Sequence, residues 1–384
     1  MGNFMRENEL PTPCYVIHEE QILHNLRILG QLQEETGVKV LLAQKAFSFF
    51  PVYPLLGSYL AGTTASGLYE ARLGKEKMPE GETHVYAPAF REDEFEELLT
   101  YADHIVFNSF KQVEKYGKRA KAGGKSIGLR INPMCSTQEG HEIYDPCTAG
   151  SRLGVTKEVW EKEAAPELLA LLDGLHFHTL CEQDADALAL TLKAVEEQFG
   201  SFLLQMKWLN FGGGHHITRD GYNLKLLKEC IHHVQDTYGV EVYIEPGEAV
   251  ALNAGTLHTT VLEIVRNGMQ IAILDASAAC HMPDVIEMPY LPPLEGAKEA
   301  GITEYTYRLA GPTCLAGDVI GDYSFDAPLE EGQRLVFGDM AIYSMVKNNT
   351  FNGMRLPHIV WKKADGDCEI VKSFGYEDFK ERLG

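Results

Sequence analysis

Four stretches, 38-VKVLLAQKA-46, 62-GTTASGLYEA-71, 83-THVYAPAF-90 and 104-HIVFNSF-110, decide the fold. Each is a short apolar run that closes on a polar or small residue and leads into a helical segment. Lys45, Ser66, Ala87 and Asn108 recur across them at intervals of 21 residues, the spacing of a repeated βα unit. Four later runs continue the pattern: 126-SIGLRINP-133, 174-GLHFHTLCE-182, 208-WLNFGGG-214 and 242-VYIEPGE-248. Between strands lie amphipathic segments such as EDEFEELLTYA (92–102) and EKEAAPELLALLDG (161–174). Alternation of this kind pairs strands in parallel. Eight units predict an α/β fold, a (β/α)8 TIM-like barrel over residues 36–252, whose functional residues sit just past the strands' carboxyl ends. Lys45, Ser66, Asn132, His178, Gly212, Gly213, Gly214 and Glu245 all fall there, so they are expected to converge.

After residue 253 the pattern changes. TTVLEIVRNG (259–268), MQIAILDAS (269–277), EYTYRLAG (304–311), RLVFGDM (334–340) and CEIVKSFG (368–375) read as strands divided by turn residues, with few helices. Residues 253–384 are therefore expected to form an all-β, Greek-key barrel-like domain. The segment PTPCYVI (11–17) also reads as a strand, so residues 1–35 are assigned to that β domain, with the barrel inserted between its parts.

The chain has 384 residues, more than one small core usually absorbs, and 45% of them are hydrophobic. A formal net charge of -21 without clustered Lys and Arg argues against nucleic acid as a partner and favours cationic ligands. The opening MGNFMRENELPTPCYVI places charges where a signal peptide has its apolar region, and no run approaches the length of a membrane span. The expectation is a soluble, cytoplasmic protein with no membrane partner. Eight scattered cysteines contain no CxxC pair, which speaks against a zinc ribbon or a disulfide framework.

Several strand-end residues carry chemistry. Lys45 follows an apolar run, where a desolvated amine is suited to Schiff-base formation; a lysine snorkelling from a strand end fits the same residues. Gly212–Gly214 permits close backbone approach and an anion nest, although strand-to-loop turns also use glycine for steric reasons. Glu245 ends an apolar strand, where a buried carboxylate needs a strong hydrogen-bond partner or a cation such as a pyridinium N–H. His176 and His178 share one side of their strand; HxH is also a metal pattern, but no other barrel residues complete a ligand set, and no metal is expected. His215–His216 and His232–His233 read as surface pairs. GPTCLAGD (311–318) and GDMAIYSMVKNNTFNG (338–353) place Cys314, Asp318 and Tyr343 in loops.

Taken in order, AQKA, TASGLYE, SRLG, HFH, GGG, EPG, GPTC and YSMVKNNTFNG resemble the fold-type III pyridoxal-phosphate decarboxylases, the ornithine and diaminopimelate decarboxylase group, over nearly the whole chain. The resemblance implies pyridoxal 5'-phosphate as cofactor, Lys45 as the Schiff-base lysine and His178 stacked on the cofactor ring. It places Gly212 to Gly214, with Ser66 and Tyr343, among the cofactor contacts and pairs Glu245 with the pyridine nitrogen. Cys314 matches the residue that protonates the product carbon and reaches the neighbouring subunit's site, which implies a homodimer with shared active sites.

Three departures narrow the substrate. The family's usual EPGR reads EPGE, the residue after Cys314 is Leu315, not an acid, and Cys181 stands where ornithine decarboxylases carry serine. EPGE and CHMPDVIEMPY (280–290) look like the branch that decarboxylates carboxynorspermidine and carboxyspermidine. That resemblance makes Glu248, Asp284, His281 and Asp318 the expected substrate contacts. A polyamine with distal ammonium groups requires carboxylates, each charge-assisted bond contributing about 1.5–3 kcal/mol. The rivals are a decarboxylase of another basic amino acid such as diaminopimelate, a racemase on the same scaffold, a metal-dependent hydrolase using His176, His178 and Glu245, and a pseudoenzyme that keeps the fold.

Overall fold

Alternating apolar runs and capped helices close into a barrel. The computed structural model describes residues 5–138 and 145–384, which form two units, Asn25–Val250 and Met1–His24 with Ala251–Gly384. A first strand, β1 (Cys14–His18), belongs to the second of these. The barrel then follows as β2 (Lys39–Ala43), β3 (Gly62–Ala65), β4 (Glu82–Tyr86), β5 (His104–Phe107), β6 (Ser126–Arg130), β7 (Gly174–His176), β8 (Trp208–Asn210) and β9 (Glu241–Ile244). All eight pair in parallel with their sequence neighbours, and β9 returns to β2 through Lys39 opposite Tyr243 and Val40 opposite Ile244. These are the eight strands expected from the apolar runs.

The helices between them start and stop where side chains satisfy the exposed backbone ends. Ser109 Oγ accepts from Gln112 N at 3.3 Å before the helix Phe110–Ala122, and Asn223 Oδ1 accepts from Leu226 N at 3.1 Å before Leu224–Tyr238. Gly239, at φ +68°, ends the latter helix and turns the chain into β9. The stretch 161–174 departs from expectation. It is split between the helices Lys157–Glu163 and Pro166–Leu169, because Pro166 takes a first-turn position and the extended Ala165 breaks the run.

The barrel unit begins at Asn25, not near residue 36. The reason lies in the helix Glu19–Thr36: Gln33 Oε1 accepts from Val40 N at 2.8 Å, its Nε2 donates to Tyr59 O, and Asn25 Nδ2 donates to Val250 O at 3.2 Å. At the amino ends of the strands, Trp208 lies across Gly128 and Gly174 and donates from Nε1 to Ser126 Oγ at 2.9 Å. Beside it Lys39 binds Glu82 (2.5 Å) and Glu241 (3.0 Å), His84 binds Glu82 (2.9 Å), and His84 stacks on His104 at 4.0 Å.

The second unit is built on a mixed nine-stranded sheet. Its later strands are β10 (Gly255–Asn267), β11 (Met269–Leu274), β12 (Lys298–Glu299), β13 (Tyr305–Ala310), β14 (Val319–Phe325), β15 (Arg334–Phe337), β16 (His358–Lys362) and β17 (Cys368–Lys372). The order is β12-β14-β13-β11-β10-β1-β16-β17, with β15 branching from β10. Two pairings are parallel, β1 with β16 and β11 with β13, so the expected all-β domain is built on a mixed sheet. As expected, PTPCYVI joins this sheet through β1. Its core gathers Tyr15, Leu257, Leu274, Leu309, Phe325 and Phe337.

Two consequences are measurable. A methyl group at Gly174 would lie 2.0 Å from Trp208 Cδ2, so Gly174→Ala is expected to destabilise the protein by about 1–3 kcal/mol, as overpacking does; an unchanged urea midpoint would overturn this. Burial pushes the Glu82 carboxyl up, but hydrogen bonds from His84 and Lys39 outweigh it and hold the group below its ordinary value of 4.5. The folded protein therefore binds fewer protons at Glu82 than the unfolded chain, and stability present above pH 4.5 falls as the pH drops below it. Urea midpoints between pH 3.5 and 7 should show a shallower acid decline in Glu82→Gln than in the parent.

Candidate functional site

The site is assembled by strand register. Arg130 lies opposite His176, His176 opposite Asn210, and Asn210 opposite Tyr243, across β6, β7, β8 and β9. Glu245 follows the end of β9 and is buried at 9% exposure. Its Oε2 accepts from His176 Nε2 at 3.2 Å, and its Oε1 accepts from Asn210 Nδ2 at 2.9 Å. Asn210 Oδ1 in turn accepts from Gly212 N at 2.8 Å, and Gly213 N donates to His178 Nδ1 at 2.8 Å. That last bond fixes the histidine tautomer, since an Nδ1 that accepts leaves the ring proton on Nε2.

The Gly-Gly-Gly turn has a steric cause and a positioning effect. Gly212 and Gly214 adopt φ +71° and +82°, and a Cβ on them would lie 2.4 Å from Phe177 O and 2.0 Å from Leu180 O. The Gly213 amide is committed to His178, so the turn orients that imidazole as well as allowing close backbone approach.

Lys45 lies two residues past β2, where Ala43 N donates to Pro246 O at 3.3 Å and a Cβ on Gly247 would meet Ala46 Cβ at 2.5 Å. The Pro246–Gly247 turn thereby brings the lysine segment against the end of β9. Lys45 itself is exposed to solvent. Burial, then the Arg130 guanidinium, push its ammonium below the ordinary lysine range, against Glu245 and Glu70. Burial would raise Glu245, but the charge and hydrogen bond of His176, with the Asn210 amide, bring it down to about 2. Burial, with Lys45 and Arg130, drives His178 far below its ordinary value, so its imidazole is neutral. An anionic carboxylate, a neutral imidazole and a readily deprotonated amine thus line one end of the barrel.

Ser66 is exposed after β3; its amide donates to Glu70 Oε2 at 2.6 Å. Asn132, also expected at this end, is buried, and its Oδ1 accepts from Met134 N at 2.9 Å. Glu248 opens the short helix Glu248–Ala251 one turn beyond Glu245.

The β domain carries the other expected residues. Cys314 is exposed, and its amide donates to Asn352 Oδ1 at 2.8 Å. Tyr343 has φ +48°, a left-handed conformation uncommon outside glycine. Asp284 is paired with Lys347. His281 and Asp318 are enclosed at 0% and 3% exposure. His281 accepts from Ser277 N at 3.2 Å through Nδ1 and donates from Nε2 to Arg355 O at 3.0 Å. Asp318 accepts from Ser277 Oγ (2.9 Å) and Thr313 Oγ1 (2.6 Å). Both side chains are occupied within the domain, and Asp318, through Thr313, braces the loop before Cys314.

Sequence reasoning missed Arg130, Tyr86, Asn210 and Glu70. Tyr86 stacks on His176 at 5.6 Å, and the Arg130 guanidinium lies 4.6 Å over the Tyr86 ring. Period-two alternation with a strand end could have found Arg130 and Asn210, each the last residue of its strand. The surface reading of His215 fails: it is 2% exposed, held under the glycine turn that precedes it, whereas His232 and His233 are exposed. Among the described residues one group has metal-ligand spacing, Glu82, His84 and His104. Its two imidazoles stack within 10° of parallel, which sends their lone pairs alongside each other instead of to one point, and Lys39 already holds Glu82.

Residues 14–341 match the family described as pyridoxal-dependent decarboxylase, C-terminal sheet domain. The chain is 43% identical to the carboxynorspermidine/carboxyspermidine decarboxylase of Campylobacter jejuni subsp. jejuni, over 97% of this chain and 99% of that one. It is 42% identical to the carboxyaminopropylagmatine decarboxylase of Synechocystis sp., over 99% and 97%. The crystal structure of carboxynorspermidine decarboxylase complexed with norspermidine from Campylobacter jejuni superposes with a TM-score of 0.88 at 42% identity, covering 97% of this chain and all of that one. Diaminopimelate decarboxylase from Helicobacter pylori, at 17% identity and a TM-score of 0.79, shares the fold. With a closed barrel, a strand-end lysine and a register-built carboxylate in place, the chain belongs to the pyridoxal-dependent decarboxylase family.

Proposed function

We propose that this protein uses pyridoxal 5'-phosphate to decarboxylate carboxynorspermidine or carboxyspermidine, yielding norspermidine or spermidine in polyamine biosynthesis. The observation that carries the reading is the buried Glu245 anion placed at the same strand ends as the depressed Lys45 amine. The donor set fits the cofactor: an amine for its aldehyde, a carboxylate for its ring N–H and a neutral imidazole for its face. When bound, the cofactor supplies an electron sink for the electrons released as carbon dioxide leaves.

Each residue then has a task. Glu245, ionised and fixed by His176 and Asn210, holds the ring nitrogen's proton and keeps the sink electron-poor. Lys45, its charge disfavoured, would hold the cofactor through its aldehyde. His178 presents a flat uncharged face, and Ser66, the glycine turn and Tyr343 serve the phosphate end. Glu248 receives a distal ammonium of the substrate. Asp284 meets another by exchanging Lys347, and Asp318 acts indirectly by bracing the Cys314 loop, with His281 joined to it through Ser277. Cys314 returns a proton to the product carbon.

A homodimer with shared sites completes this assignment. Exposed Cys314 is flanked by Leu315, and Asn352, which binds the Cys314 amide, is flanked by Phe351; these two apolar residues are 43% and 48% exposed. A thiol ringed by apolar surface suits a contact with a second copy. One observation favours a second substrate: the relative acting on carboxyaminopropylagmatine is nearly as similar as the first. That molecule shares the amino-acid end and differs at the distal cation.

Purified enzyme should release carbon dioxide from all three compounds at measurable rates, with the highest kcat/KM on carboxynorspermidine or carboxyspermidine. Those two differ by one methylene and should be separated by about 10-fold or more; a higher value on carboxyaminopropylagmatine transfers the assignment. Lys45→Ala should lose both turnover and the visible absorbance of bound cofactor, and a coloured, active variant sinks the reading. Mixing inactive Lys45→Ala with inactive Cys314→Ala should restore roughly a quarter of parental activity if random exchange between dimers reassembles one intact site in half of them. No recovery after subunit exchange counts against shared sites.

A further inference from the structure

We propose that Arg130 is a positioning residue of the Lys45 site, fixing His178 through its backbone carbonyl and holding a permanent positive charge beside the Lys45 amine. The inference rests on Lys45 as the reactive amine. Arg130 ends β6 and is 5% exposed, and among the described residues no carboxylate is bound to it, an unusual situation for a guanidinium. Its Nη2 donates to His178 O at 3.2 Å, and its plane lies 4.6 Å from the Tyr86 ring centroid. Among the described residues its buried Nε has no hydrogen-bond partner, and the Tyr86 ring is the contact that covers the group.

Two further contacts fix that geometry. Tyr86 is pinned by its hydroxyl, which donates to Asn108 Oδ1 at 2.7 Å; the same oxygen accepts from Gly154 N at 2.7 Å, and Asn108 Nδ2 donates to Arg152 O at 2.8 Å. Gly154, at φ +93°, has no Cβ, and one would meet Arg130 Cγ at 3.1 Å. The SRLG motif therefore closes over the arginine. His178 is consequently gripped twice, at its carbonyl by Arg130 and at its ring by the Gly213 amide.

The electrostatic part follows from the groups facing Lys45. Arg130 from β6, the imidazole of His176 from β7 and that of His178 just past it are neutral or positive, while Glu245 after β9, Glu70 from the helix Leu68–Lys77 and Cys181 after β7 favour the ammonium. Arg130 is the largest charged opponent of protonation at Lys45 after burial. An arginine suits this task because its own proton is not lost at any working pH. Removing it tips the balance toward the ammonium, which cannot attack a carbonyl. A lysine at the same place restores charge but neither the planar stack nor the forked donor.

The test compares the parent, Arg130→Met and Arg130→Lys. Cofactor-free protein is labelled with an amine-selective acylating reagent across pH 6 to 11, and the Lys45 peptide is quantified by mass spectrometry. Arg130→Met should raise the midpoint of Lys45 labelling by about 1–2 pH units, the effect of removing a like charge. Arg130→Lys should keep the parental midpoint within about half a unit, yet lose cofactor faster on dilution by about 10-fold, because His178 is no longer held. Equal midpoints in all three proteins overturn the electrostatic part, and equal cofactor loss in parent and Arg130→Lys overturns the positioning part. If Arg130→Met does not fold, Tyr86→Leu takes its place, since it frees the guanidinium from its stack; an unmoved midpoint and off-rate there overturn the proposal. A parent that labels at an ordinary surface-lysine midpoint and never colours with pyridoxal phosphate defeats the assignment of Lys45 itself, a separate outcome.

Discussion

A carboxylate buried at the end of β9 governs the architecture of the barrel's functional end. Removing Glu245 from water without partners would cost several kcal/mol, so the residues around it must supply donors of fixed geometry. His176 and Asn210 do so, and both are strand-terminal residues in register with each other. The demand then passes outward. Asn210 uses its remaining oxygen on Gly212, the glycine turn aims its next amide at His178, and His178 is held at its carbonyl by Arg130. A slip of one residue in β7 or β8 would turn these side chains to the outside of the barrel, so the chemistry depends on the same register that closes the fold.

The two ends of the barrel handle charge differently. At the amino ends, Glu82 has both oxygens engaged, by Lys39 and His84, while Trp208 fills the space above two glycines. That end is a closed ion-pair network whose value is stability. At the carboxyl ends, Glu245 receives two hydrogen bonds although a carboxylate can accept about four. It remains capable of taking a further proton donor, while the nearby lysine is discouraged from being one. The unused acceptor capacity of Glu245 is what the proposed pairing with a ring N–H requires.

The barrel was legible because its period is expressed twice, in apolar runs and in the 21-residue spacing from Lys45 to Asn108. What escaped notice was polar and non-local. Strand β14 contains Gly321 and Asp322, residues that strands usually avoid, and is stabilised by Asp322 lying opposite Arg308 with bonds of 2.8 and 2.9 Å. Arg130 and Asn210 looked like ordinary strand-end polar residues, since their meaning depends on partners some fifty and thirty-five positions away. His215 misled for the opposite reason: beside His216 it read as a surface pair, but the turn made by Gly212 to Gly214 folds it inward. Asp318 is legible as a polar residue of the Cys314 loop and His281 only through the CHMPDVIEMPY resemblance; both are buried, and Asp318 supports its loop through Thr313.

Backbone conformation locates the remaining function in loops. A non-glycine residue in the left-handed region costs about 1–2 kcal/mol, and such residues persist where the surroundings over-determine them. They follow the barrel strands at Met134 and Glu182, and in the β domain they occur at Asp339, Tyr343 and Asn352. Each of three has an identifiable restraint: Asn132 holds the Met134 amide, Asp339 accepts from Asn253 N at 2.7 Å, and Asn352 accepts from Cys314 N at 2.8 Å. The last bond matters most. Cys314 projects an exposed thiol from a loop with little packing of its own, so its position is inherited from Asn352, which is in turn committed to an unfavourable φ of +57°. The proposed role of Cys314 as proton donor calls for that kind of fixed backbone, and the YSMVKNNTFNG motif supplies it from thirty-eight residues away.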